Sequence, residues 1–343
     1  MQTPDQPRSF KKRVLRWLGI TNEVTVRVYH GYGYNQQLNI HGHVLRLSPI
    51  PRRKYRKSFV RNTLALLRLF IVKPFSGVKV RLQWNGSSYE TLTDGDGFFR
   101  FEWQAEGVKD PGWHSVKVEA LLNTNPIAIG EGSVFIPFSS QYGFISDIDD
   151  TFLVSHSSNL RKRLFVLFTQ NARSRRPFEG AVEHYQLLSK GNTSSQHPNP
   201  FFYVSSSEWN LYDYILEFTR VHQIPEGVFL LNQLKLFSQL LKTGQSHHQT
   251  KFTRIARILE HYPHQKFILL GDSSQQDPYI YEAIVSHFPA QIFAVYIRDI
   301  NRKNKQKASD VLKKIEGNGV HCCFFAHSSE AIEHSRSIGL IEK

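Results

Sequence analysis

"YGFISDIDDTFLVS", Tyr142 to Ser155, is an apolar run that stops in Asp147, Asp149 and Asp150, followed by Thr151. A run without polar alternation is buried on both faces, and acids crowded where it stops repel one another. Runs of the same texture follow: "FFYVS" (201–205), "GVFLL" (227–231), "KFILLGD" (266–272), "IFAVYI" (292–297) and "CCFF" (322–325). Helix-like segments separate several of them: "EWNLYDYILEFTRVH" (208–222), "TKFTRIARILEHY" (250–262) and "YIYEAIVSHF" (279–288). Doubly buried strands alternating with helices predict an α/β fold, a parallel sheet flanked by helices, over residues 141–343.

Upstream the texture is different. "VTVRVY" (24–29), "VKVRLQW" (78–84), "FFRFEW" (98–103) and "HSVKVEALL" (114–122) alternate apolar and polar residues. That is the period of half-buried antiparallel strands. "TDGDGFF" (93–99) lies between two of them, and Asp-Gly pairs supply the positive φ angles of a tight hairpin. The pattern predicts a mostly-β sandwich domain over residues 23–140.

A basic amphipathic segment at 1–22 precedes this domain, and a basic insertion at 51–73 interrupts it. Sixteen of the 43 Lys/Arg but only two of the 29 Asp/Glu lie in residues 1–80, so the whole net charge of +14 sits in the first quarter of the chain. An excess of this kind implies an anionic partner, nucleic acid or an anionic lipid surface. In the first segment Phe10, Val14 and Trp17/Leu18 recur at helical spacing with cations between them, as in helices that lie on bilayers. In "PRRKYRKSFVRNTLALLRLF" (51–70) a cationic block runs into an apolar stretch that is either membrane-facing or core. The longest apolar run, Thr63 to Val72, contains Arg68 and is about half the ~20 residues of a spanning helix. No secretory apolar region is visible, so a cytoplasmic protein with peripheral membrane association is expected. The only cysteines, Cys322 and Cys323, are adjacent, which predicts neither a disulfide framework nor a structural zinc site.

In open parallel sheets, sites form beyond the carboxyl ends of the strands. Asp147, Asp149 and Thr151 follow the first run, Ser205, Ser206 and Ser207 the second, and Asp272 the fourth, with Asp277 five positions on. Lys251 opens the helix before that strand. Asp147 is placed to act as a nucleophile, and Asp149, two residues on, as general acid and then base. So many carboxylates are tolerable around a hard divalent cation such as Mg²⁺. Ser205 and Lys251 supply the donor and the positive charge that hold a phosphoryl group.

"DIDDT", the serine after an apolar strand, the lysine and "GDSSQQD" stand in the order of the haloacid-dehalogenase-like (HAD-like) phosphatases. "SDIDDT", "YVSSSEWNLYDY", "ILLGDSSQQDPYIY" and "AVYIRDI" resemble more closely the catalytic domain of the actin-patch-associated phosphatidate phosphatases, relatives of the lipins, over roughly residues 140–325. The upstream sandwich and "TDGDGFF" resemble the accessory region of bacterial members. Glu208 in "SSSEWN" departs from the pattern, where proline is more usual.

The resemblance implies a Rossmann-like, three-layer catalytic domain that hydrolyses phosphatidate to diacylglycerol at a membrane surface, with Mg²⁺ as cofactor. It implies that Asp147 forms an aspartyl-phosphate and binds the metal, and that Asp149 is the acid/base and offers its carbonyl to the metal. Asp272 would ligate the metal directly, and Asp277 directly or through water. Ser205 would bind phosphate, and Lys251 would steady nucleophile and phosphate, although Lys242 lies nearby. Thr151, Ser206 and Arg298 are expected on the substrate side. Arg298 is read either as an internal ion pair with Asp299 or as a headgroup contact. Asp150 is expected to brace its loop, and His247 and His248 to lie in a solvated one. Residues 159–168, "NLRKRLFVLF", form either an ordinary amphipathic helix or a small cap over the lipid. The alternatives to a phosphatidate phosphatase are a phosphatase of a soluble or nucleic-acid monoester, and a module that binds phosphatidate without turnover. Nucleic acid is the less favoured partner, and the presence of Asp147 disfavours a mere binding module.

Overall fold

The computed structural model describes residues 15, 19–34, 36–50, 67–107, 110–138, 142–149, 151, 176–194, 196–234, 247–274 and 276–342, with backbone alone at 247–250. Most of the basic N-terminal segment, residues 51–66 of the insertion, Asp150, residues 159–168, Lys242 and the side chains of His247 and His248 lie outside them.

Ten strands form the first sheet: β1 (Ile20–Thr21), β2 (Thr25–Val28), β3 (Gly31–Tyr34), β4 (Gln37–Pro49), β5 (Lys73–Pro74), β6 (Lys79–Trp84), β7 (Ser87–Leu92), β8 (Phe98–Gln104), β9 (Gly112–Leu122) and β10 (Asn125–Ile136). All pairings are antiparallel except β3 with β10. The 13-residue β4 organises it, pairing with β1, β2, β3, β5 and β8 along its length. Inward residues of β2, β4 and β8, such as Ile40, Val44 and Phe101, share one core with Val80, Leu82, Val118 and Val134 of β6, β9 and β10.

The turn at 93–99 differs from its sequence expectation. It is tight, with the Asp94 and Gly97 backbones bonded and Asp94 Oδ1 accepting from the N–H groups of Asp96 and Phe98. It is not the turn of a paired hairpin, because β7 pairs with β6 while β8 crosses to β4. The Asp94 carboxylate closes the turn from its own side chain, so only Gly97 needs a positive φ. The end of the second basic segment is core: Phe70, in a short 3₁₀ turn at Arg68–Phe70, is 5% exposed.

The remaining strands are β11 (Tyr142–Ser146), β12 (Phe201–Glu208), β13 (Gly227–Asn232), β14 (Lys266–Asp272), β15 (Ile292–Arg298) and β16 (His321–Phe325). Among them run α1 (Ala181–Lys190), α2 (Tyr212–Val221), α3 (His247–His261), α4 (Asp277–His287), α5 (Lys305–Glu316) and α6 (Ser328–Ser337). All six apolar runs are strands, all pairings are parallel, and the order is β13-β12-β11-β14-β15-β16. Along each strand successive residues feed opposite cores, as the two-residue period requires. Phe144, Tyr203, Leu270 and Tyr296 face α1, α2 and α6, while Ile145, Phe202, Leu269 and Val295 face α3, α4 and α5. The chain starts at the centre with β11, winds outward through β12 and β13, and returns to build β14 to β16 on the other side. Beside β11 the winding changes direction, the place beyond the carboxyl ends where sheets of this kind form their sites.

The first sheet packs directly on this α/β layer. Tyr29 stacks on Trp209 with ring centroids 4.1 Å apart, Tyr262 Oη donates to Gly33 O at 3.1 Å, and Tyr32 and Phe135 enter the core of α3 and α4. Trp209 follows β12 immediately, so the contact anchors the end of that strand. Among the described residues no helix is long and apolar enough to cross a membrane.

Candidate active site

Asp147 is the first residue past β11, and its N–H donates to Leu270 O at 2.8 Å, fixing it against β14. Asp272 ends β14 and Asp277 begins α4, where Pro278, which has no N–H to lose, suits the first turn. Asp147, Asp272 and Asp277 each offer a carboxylate oxygen, and these oxygens lie within 4.8 Å of one another. All three are at most 1% exposed. Lys251 reaches them from α3, with Nζ 2.9 Å from Asp147 Oδ1 and hydrogen-bonded to Asp277 Oδ1. Its burial follows from its spacing: Lys251, Ile255, Ile258, Leu259 and Tyr262 form one helical stripe facing the sheet.

One lysine does not neutralise this set. Burial raises the pKa of Asp147 well above the ordinary carboxylate range; Lys251 opposes that, while Asp277, Asp272 and Asp149 add to it. Burial and then Asp277 lift Asp272 to about 7, against the Ser274 hydrogen bonds and Lys251. Burial draws Lys251 down, but Asp147 and Asp277 outweigh it and raise its pKa overall. Asp147 Oδ2 and Asp272 Oδ2 are buried with no hydrogen-bond partner among the described residues. Three grouped acids with two carboxylate oxygens left over suit a hard divalent cation, and the residues fit Mg²⁺.

Asp149 sits across from β12. Its Oδ2 accepts from Ser207 Oγ at 2.6 Å and from Ser205 Oγ at 3.2 Å, while Ser205 Oγ accepts from Ser207 N–H at 2.9 Å. Among the described residues Ser206 makes no hydrogen bond to Asp147, Asp272 or Asp277. Ser207 was not assigned a role from sequence, yet its signal was present: residues i and i+2 of a strand share a side. Arg254, one turn after Lys251, donates from Nη1 to Ser205 O at 2.8 Å and steadies this strand end.

Thr151 is 3% exposed, and its Oγ1 has no partner among the described residues. Its carbonyl accepts from Arg298 Nε at 2.9 Å. Of the two sequence expectations for Arg298, the internal ion pair with Asp299 is not made among the described residues. Asp299 pairs with Lys305 at 3.4 Å instead, and the Arg298 guanidinium also bonds Ser328 Oγ at 3.0 Å and lies 4.7 Å from the ring centroids of Phe178 and Phe325. Buried between two rings, it bonds the Thr151 carbonyl and so braces the nucleophile loop.

Gly271 is required by the site. A Cβ there would lie 2.6 Å from Asp277 Oδ2 and 2.9 Å from Tyr281 Cε2. Gly271→Ala is expected to cost about 1–3 kcal/mol by overpacking and to displace the Asp277 carboxylate. Chemical denaturation, with calorimetric titration of Mg²⁺, checks both effects.

The raised Asp272 pKa sets a pH dependence. The folded chain holds this proton more tightly than the unfolded chain, whose carboxyl titrates near ~3.9. In chelator its contribution therefore falls as pH rises from about 4 to about 7 and is constant above. Buried His41, His43 and His184, pushed to about 3, act with the opposite sign, so the difference from Asp272→Asn is the quantity to read. Asp272→Asn should gain stability relative to the parent across that window, measured by denaturation in chelator.

Comparison with known proteins covers this half of the chain. Residues 142–299 match the family described as phosphatidate phosphatase APP1, catalytic domain. Phosphatidate phosphatase APP1 of Saccharomyces cerevisiae is 31% identical over 157 residues, 46% of this chain and 25% of the yeast protein. An uncharacterized protein of Schizosaccharomyces pombe is 22% identical over 158 residues, again 46% of this chain and 25% of its own. The aligned stretch thus spans a quarter of the length of either relative. Among solved structures, a carbohydrate acetylesterase from Xanthomonas citri aligns over 90% of this chain and 73% of its own, at 8% identity and a TM-score of 0.31, which carries no argument. The family resemblance read from the motifs is borne out.

Proposed function

We propose, with residues 142–299 matching the family of the phosphatidate phosphatase APP1 catalytic domain, that this chain is a Mg²⁺-dependent phosphatidate phosphatase, releasing diacylglycerol and phosphate at a membrane surface. The observation that carries it is the buried group of Asp147, Asp272 and Asp277, with Lys251 bridging Asp147 and Asp277, at the direction change of the parallel sheet. In this reading residues 141–343 are the HAD-like catalytic domain and residues 23–140 the accessory β-sandwich.

An oxygen of the Asp147 carboxylate attacks phosphorus, forming an acyl phosphate while the bond from phosphorus to the glycerol oxygen breaks. Asp149 gives its proton to that leaving oxygen. Water then attacks the same phosphorus, Asp149 takes the proton, and the Asp147 carboxylate is released. Splitting one difficult displacement into two lowers each barrier. Asp147, Asp272, Asp277 and the Asp149 carbonyl would hold Mg²⁺, which supplies charge neutralisation to the phosphoryl oxygens. Lys251 keeps Asp147 oriented and adds positive charge. Ser207 and Ser205 hold the Asp149 carboxyl in place, and Ser205 turns its hydroxyl to a phosphoryl oxygen when Asp149 carries its proton. Thr151 offers a hydroxyl with no partner among the described residues to the substrate side, and Arg298 positions that loop. The basic excess of residues 1–80 would hold the enzyme on anionic lipid.

The test is a panel of phosphatidate vesicles, a water-soluble short-chain analogue and a phosphorylated oligonucleotide, each with Mg²⁺ and with chelator. Phosphate release should be greatest from the vesicles and vanish in chelator. Preference for the oligonucleotide would favour a nucleic-acid phosphatase, and lipid binding without any release would favour a binding module.

A further inference from the structure

The first sheet and α3 enclose a second polar space that the aspartate chemistry leaves unused. It is a recess of about 90 Å³ whose lining includes Asn39, His41, Arg100, Glu102, Arg254 and Arg257. A cleft of about 500 Å³ shares the three arginines with it and adds Asp94 and Asp96 of the turn that leads into β8. Three guanidiniums line one small space. Glu102 is the carboxylate of the recess, and its 3.6 Å pair with Arg100 is solvent-exposed, a geometry that neutralises little. Arg257 has no ion pair among the described residues. Burial, and then the proximity of Arg257, lowers the Arg100 pKa.

The recess also holds two buried polar groups that complete no hydrogen bond among the described residues, although the Tyr32 hydroxyl lies beside the Asn39 amide. Asn39 is 6% and His41 5% exposed, and Asn39 Nδ2 and His41 Nε2 have no hydrogen-bond partner among the described residues. Burial and then the neighbouring cations keep the His41 ring neutral, so one of its nitrogens carries a proton to donate. Crowded cations and buried unmade donors are both unfavourable, and one kind of ligand relieves both: a compact oxyanion with several acceptor oxygens. Guanidinium forks match the edges of a phosphate in particular.

We propose that this recess is a phosphate-binding site separate from the aspartate cluster, in which Arg100, Arg254 and Arg257 grip the oxygens and Asn39 and His41 donate to them. It lies along the same helix as the cluster, since Arg257 is six positions along α3 from Lys251, about 9 Å of helix. Arg254 touches both places, with Nη1 on Ser205 O and Nη2 3.3 Å from Asn232 Oδ1. A phosphate that draws on Arg254 therefore acts on the strand end that carries Ser205 and Ser207. The recess needs no metal, whereas the aspartate cluster without one repels anions.

That contrast defines the experiment, which involves no turnover. The full chain is held in chelator; inorganic phosphate is titrated calorimetrically, and phosphatidylcholine vesicles with and without phosphatidate are co-sedimented. Saturable binding of about one phosphate is expected, weakened roughly tenfold or more in Arg257→Gln and in Arg100→Gln. Both side chains are exposed, and melting curves check that the variants stay folded. If the phosphate comes from a lipid headgroup, the loss is in the phosphatidate-dependent part of vesicle binding; if it is free phosphate, the loss is in the titration. Absence of saturable binding in both arms, or binding unchanged by both substitutions, would overturn the site.

Discussion

Asp147→Asn is expected to lower Mg²⁺-dependent phosphate release from phosphatidate by at least about 10³-fold, the scale on which removing a nucleophile acts. The amide keeps the shape of the side chain and its backbone bond to Leu270 but cannot displace the lipid oxygen. Because one of several crowded carboxylates is removed, the folded state in chelator should not suffer; relief of repulsion offsets the lost contact with Lys251, which keeps Asp277. Activity and stability are thus expected to separate. Steady-state release on vesicles, read beside chemical denaturation of the same preparation, tests this.

Lys251→Met should do the reverse and destabilise strongly. Lys251 is 2% exposed and is the cation bridging Asp147 and Asp277. Removing one member of a buried ion pair leaves an uncompensated charge and costs about 3–5 kcal/mol. Methionine preserves the apolar stem on the stripe with Ile255 and Ile258, so lost packing contributes little. The deficit should be largest at neutral pH in chelator, shrink as the pH falls and the carboxylates take up protons, and shrink also with Mg²⁺. A deficit below about 1 kcal/mol under all conditions would mean that Lys251 does not balance the aspartates.

The parallel sheet was legible because its strands are buried on both faces. "KFILLGD" and "IFAVYI" carry no polar alternation, and each became a strand with one residue set on each core. The aspartates were legible because they stop such runs. β4 was not: Asn39, His41 and His43 occupy buried positions, so polar residues hide the pattern of a strand that five others pair with. Ser207 needed the two-residue period carried past the end of the apolar run. The surroundings of Arg298 were not legible, because its two aromatic rings and the Thr151 carbonyl come from distant segments. Gly271 carries no sequence signal of its own; only the approach of Asp277 makes its missing side chain matter.

The central claim is that Asp147 carries the phosphoryl group during turnover. Rapid acid quench of the wild-type chain turning over phosphatidate labelled in its phosphate tests it most directly. Acid-stable label is expected on the peptide containing Asp147, formed and lost at rates that support turnover, and none on Asp147→Asn. Phosphate release that proceeds with no protein-bound label, together with an Asp147→Asn variant as active as the parent, would contradict it.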